Sequence, residues 1–87
     1  MDAKTIKKEL TERVNGHIAY ILSGGITRRE LNSWEGDEEY AQEELYEHIN
    51  DNHPEVCDMN AEEWDSLLTA PWFRKLVTMQ ARCNALE

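Results

Sequence analysis

The stretch KTIKKELTERVNGHIAYIL, Lys4 to Leu22, places Ile6, Leu10, Val14, Ile18, Ile21 and Leu22 at intervals of three and four residues. That interval is the period of one buried helix face, so the segment predicts a long amphipathic helix. Ser23-Gly24-Gly25 follows and ends it, because glycine takes the left-handed backbone conformation that closes a helix terminus without a steric penalty. Thr27-Arg28-Arg29-Glu30 has the spacing of a capping box, with Ile26 and Leu31 where a hydrophobic staple belongs. A short second helix is expected from Arg28 to Trp34.

Beyond Gly36 the same logic recurs. Asp37 is placed to cap a third helix, Glu38 to about Asn50, with Ala41, Leu45 and Ile49 inward. The composition of Asp51-Asn52-His53-Pro54 reads as a loop, and Glu55 to Met59 as irregular chain. Asn60 repeats the cap before Ala61-Glu62-Glu63, opening a fourth helix that carries Trp64, Leu67 and Leu68. Pro71 suits a first helical turn, so a fifth helix runs from there to about Asn84. No segment alternates at period two for long enough to be a strand. The expected fold is therefore all-α, a compact bundle of four or five short helices in a single domain over residues 1–87, with helix one its longest and most hydrophobic support. A chain of 87 residues has material for one core only.

The formal net charge is −9, and its distribution matters more than its size. Thirteen of the eighteen acidic residues lie between Glu35 and Asp65, where there is no Lys or Arg; all nine basic residues lie in the flanks. Such a field repels nucleic acid and anionic membrane and attracts basic protein surfaces. On helix three, Glu39, Glu43 and Glu47 are four apart, each about 6 Å further along the axis. They fall roughly opposite the apolar positions and form a solvent-facing ridge, with Glu35, Glu44, Asp51 and Glu55 around it. Trp34, between a short helix and the acid block, is expected to stand partly exposed as an aromatic anchor.

These features predict a small acidic interaction module, an inhibitor or adaptor, that docks its carboxylate face onto a basic partner protein. If the partner normally binds nucleic acid, the carboxylates stand in for phosphates. Acids near helix starts also have a purely local explanation, since they favour the helix dipole. Two competing readings remain open. Helices one and two have the outline of a helix-turn-helix, in which Arg28, Arg29 and Asn32 would contact DNA; the adjoining acid block opposes it, so direct nucleic-acid binding is not expected. A structural self-associating subunit would use the basic terminal helices, Lys4, Lys7 and Lys8 meeting a second copy's acids, so a monomer or weak homodimer is expected.

Other chemistry finds little support. His48, His53 and Cys57 lack the close paired spacing of a zinc site, and Asp51 to Glu62 puts Val56 where a calcium loop needs glycine. No nucleophile stands beside a base, and no glycine loop cradles phosphate. No catalytic residue, metal or cofactor is expected. With no membrane span or leader pattern, the expectation is a cytoplasmic protein whose Cys57 and Cys83 are separate thiols.

Overall fold

The computed structural model describes residues 3–53 and 59–87 and contains five helices, with no strand among them. They are α1 (Ala3–Ser23), α2 (Arg28–Ser33), α3 (Glu38–Asn52), α4 (Ala61–Thr69) and α5 (Pro71–Leu86). The fold is an all-α bundle, drawn out to 42 × 18 × 18 Å.

Each expected cap is made. The side chains of Thr27, Asp37 and Asn60 accept from the amides of Glu30, Tyr40 and Glu63, at 3.1, 3.1 and 2.8 Å. Each satisfies an amide that the first helical turn leaves without a partner. Gly25, at φ +98°, makes the turn after α1. One expectation fails at the end of α3, because Asp51 and Asn52 are helical and not loop. A proline at position 54 disfavours helix in the residue before it, which is compatible with a helix that runs to Asn52 and is capped at His53. The His53 amide donates to the Ile49 carbonyl at 2.8 Å, and the Asn52 side-chain amide donates back to the His48 carbonyl at 2.9 Å.

α1 is the longest helix, yet the bundle is organised around α5. All four extensive helix contacts among the described residues involve α5, and α1 and α3 supply the largest two. Phe73, Val77, Gln80, Ala81 and Cys83 are buried, and at 100° per residue they span about 160° of the α5 circumference. That width serves several partners at once. The core they enter is built from Ile6, Leu10, Val14, Ile18 and Ile21 of α1, Leu31 of α2, Ala41, Leu45 and Ile49 of α3, and Leu67 of α4. α1 and α5 run side by side in the same direction. Lys7 sits 6.0 Å from the Trp72 ring centre at one end, and His17 bonds Gln80 and Glu87 at the other.

A string of polar side chains runs along the edge of this apolar interior, with Gln80 as its buried member. The Asn84 amide nitrogen donates to Glu44, the Gln80 amide nitrogen donates to Asn84 Oδ1 at 3.0 Å, and it also meets His17 Nδ1 at 2.8 Å. A carboxylate can only accept, so Glu44 sets the direction of every bond in the string. His17 Nδ1 must then be the acceptor, and His17 Nε2 carries the proton toward Glu87 Oε1, 3.0 Å away. Gln80 is 2% exposed, and its Oε1 has no partner among the described residues.

Gly36 fixes the passage from α2 to α3. A Cβ there would lie 2.1 Å from the Ala81 carbonyl oxygen and 2.4 Å from its carbon. Only glycine lets the connection press so closely on the α5 backbone. Gly16, in the middle of α1, has nothing within 4 Å of its would-be Cβ. The two glycines therefore predict opposite outcomes in urea denaturation. Gly36→Ala should destabilise by about 2–3 kcal/mol through overpacking, while Gly16→Ala should stabilise by about 0.5–1 kcal/mol through improved helix propensity.

Candidate functional site: an acidic helical face

α3 separates its residues by register. Ala41, Leu45 and Ile49 are fully buried, while Glu39, Glu43, Glu47 and Asp51 are exposed. Successive ridge carboxylates are four positions apart, one turn plus about 40°, so they form a line from Glu39 to Asp51 that winds about 120° round the outer side of the helix. None of these four makes a hydrogen bond or ion pair among the described residues. The basic residues that approach α3 meet its other flanks. Arg74 donates to Gln42 and lies 3.9 Å from Glu38, whose carboxylate also accepts from the Thr78 hydroxyl at 3.1 Å.

Glu44 departs from the expected docking set. It is half-buried and accepts from Asn84, so its carboxylate belongs to the α3–α5 junction and the polar string. Its register explains this, because Glu44 stands one position before buried Leu45 and is turned toward the α5 side of the helix. Glu35 is exposed, and Trp34 is 47% exposed beside it. Glu55 lies outside the described residues, as does Cys57.

Tyr40 was not singled out by its sequence context, yet at 61% exposure it is among the most exposed large side chains. It lies three positions before Glu43 and seven before Glu47, on the same stripe. A tyrosine next to a buried alanine at helical spacing was the available signal. Trp34 and Tyr40 thus put two aromatic rings at the α3 start, where the ridge begins. Trp64 and Trp72, by contrast, pack against the core; Trp64 meets Tyr46 with ring centres 4.9 Å apart, and Trp72 meets buried Phe73 edge-on at 5.8 Å.

Arg28, Arg29 and Asn32 are exposed on α2, a helix of six residues whose Leu31 is buried. α2 packs on α5, and its contact with α1 is slight. Among the described residues no three His, Cys, Asp or Glu side chains gather within reach of one metal ion. His53 Nε2 lies 2.5 Å from Glu9 Oε2, joining the end of α3 to α1, and His48 Nδ1 lies 3.2 Å from the Asn52 amide nitrogen. Cys83 is a free, buried thiol, and burial chiefly, with Glu87 second, pushes its pKa above the ordinary value. That disfavours the thiolate and any nucleophilic role.

No protein family, curated protein or solved structure matches the chain. Its class is accordingly defined by fold and surface alone: an all-α bundle whose third helix carries an exposed acidic flank without a counter-ion among the described residues. No helix among the described residues is long and apolar enough to cross a membrane.

His48 supplies a pH test of how this face is anchored. Its pKa is held below the ordinary 6.5 by burial first and the Arg13 guanidinium next, with His53 adding to the effect while Glu9 and Asp51 oppose it. The folded protein therefore favours neutral His48, and the unfolded chain binds the proton more readily. Stability contributed by the neutral ring is complete above pH 6.5 and falls as pH drops through that value toward the folded pKa. In denaturant titrations between pH 7.5 and 5.5, the wild type should lose more stability than His48→Gln; equal losses would remove His48 from the pH response.

Proposed function

We propose that this protein acts by binding and not by catalysis, as a small acidic inhibitor or adaptor in the cytoplasm that lays the outer face of α3 on a basic protein partner. What supports the reading is the line of exposed carboxylates Glu39, Glu43, Glu47 and Asp51, without a counter-ion among the described residues. Like charges one turn apart cost a few tenths of a kcal/mol per pair. A surface with only a solubilising role would mix signs, and Lys or Arg at any of these positions would relieve the repulsion. The arrangement gains where a basic surface supplies the missing charge.

The same line fits a partner that ordinarily holds nucleic acid. Its Lys and Arg would meet carboxylates where they otherwise meet phosphates, and the long-range field would speed encounter. Trp34 and Tyr40, at the start of the line, add the aromatic contact that tends to dominate interface energy. Glu35 extends the acid beyond the helix.

The decisive comparison is capture from the native host at low and high salt, using the wild type and Glu39→Gln/Glu43→Gln/Glu47→Gln. A basic partner should stay with the wild type at low salt, leave at high salt, and bind the triple variant roughly tenfold or more weakly, mostly through slower association. Duplex DNA should compete for it. A partner held equally by both forms would remove the ridge from the interface.

A further inference from the structure

Between α2, the start of α3 and the outer side of α5 lies a cleft of about 410 Å³, lined by Trp34, Glu35, Gly36, Glu38, Thr78 and Arg82. That volume is within the range of clefts that take small organic groups. Its walls are tied in place from several sides. Gly36 rests on the Ala81 backbone, the Trp34 carbonyl accepts from Arg82 Nε at 3.1 Å, and Glu38 accepts from Thr78 at 3.1 Å. The loop is also pinned downstream, where Asp37 caps α3. Trp34 is 47% exposed although its backbone is fixed, so an aromatic surface is presented without freedom of the main chain.

Charge selects the occupant. Glu35 makes no hydrogen bond or ion pair among the described residues, and Glu38 is shared between Thr78 and the more distant Arg74. Arg82 contributes one positive charge, but its Nε is taken by the Trp34 carbonyl and its Nη1 by Met79 Sδ at 3.3 Å. Two carboxylates against one engaged guanidinium leave the cleft net negative, with Asp37 and Glu39 adjoining. That balance disfavours an anionic group and favours a cation.

We infer that this cleft is the anchor subsite for an arginine side chain of the basic partner, stacked on Trp34 and held by the Glu35 carboxylate. The assignment rests on the proposed docking of a basic protein and names the group that seats it. A guanidinium matches both walls, because its flat face stacks on an indole while its forked edge fits a carboxylate with two parallel hydrogen bonds. An ammonium meets the same carboxylate only as a point charge.

The test needs no partner, so it fails or succeeds separately from the ridge. The full-length ¹⁵N-labelled protein is titrated with Nα-acetyl-arginine methylamide, and in parallel with the capped lysine and the capped citrulline, the neutral isostere of arginine. Saturable shifts of the Trp34 indole and of the Glu35, Gly36 and Thr78 amides are expected with arginine, weaker with lysine and absent with citrulline. Trp34→Ala and Glu35→Gln, both at exposed positions, should each weaken binding by roughly tenfold, while Glu62→Gln/Glu63→Gln, on exposed positions of α4 away from the cleft, leaves it unchanged. Equal response to citrulline, tighter binding of lysine, or cleft shifts that persist in Trp34→Ala would overturn the assignment, as would no saturable shift at the cleft.

Discussion

The close approach of Gly36 to the Ala81 carbonyl decides where the acid-bearing half of the chain goes. It brings the α2–α3 connection against α5 at van der Waals range, and three further ties act on the same corner: Arg82 to the Trp34 carbonyl, Thr78 to Glu38, and the Asp37 cap. From that corner α3 departs with Ala41, Leu45 and Ile49 turned into the core, which turns Glu43 and Glu47 out. α5 can receive the corner only because its own buried face is wide enough to hold α1 and α3 together. Removing the fit at Gly36 would therefore disturb the aromatic corner and the acidic helix at once.

The surface charge follows from this packing in an uneven way. Carboxylates that face α5 are satisfied inside the molecule: Glu38 by Thr78 and Arg74, Glu44 by Asn84. Those on the far side of α3 face solvent, in a segment from Glu35 to Asp65 with no Lys or Arg. The bundle thus divides one acid-rich helix into a structural flank and an uncompensated flank. The polar string from Glu44 through Asn84 and Gln80 to His17 ties the structural flank to α1, and its single direction gives each nitrogen and oxygen in it a definite role, apart from the partnerless Gln80 Oε1.

Much of the fold was legible in the sequence because it is governed by local rules. Apolar spacing located α1, three side-chain caps located α2, α3 and α4, and Pro71 located α5. The outward line of Glu39, Glu43 and Glu47 followed from register, and the exposure of Trp34 from its position between a helix and an acid block. What the sequence did not disclose depends on distant partners. The part of α5 as the common support depends on such partners, and the fit of Gly36 on Ala81, the burial of Gln80 beside His17 and the capture of Glu44 by Asn84 join residues 40 to 63 positions apart. Periodicity carries no information about such pairs. At the end of α3, residue composition favoured a loop, but a proline disfavours helix chiefly in the residue before it, and the helix runs on to Asn52.

The central claim is that the outer flank of α3 is a free face made to be covered by a basic protein. Carboxylate footprinting, with carbodiimide coupling of glycine ethyl ester read out by mass spectrometry, tests it most directly. In the protein alone, Glu39, Glu43, Glu47 and Asp51 should label readily while Glu44 labels slowly; in the partner complex the first four should become protected while Glu62 and Glu63 on α4 label as before. Protection that falls on α4 while the α3 line stays reactive would contradict the account.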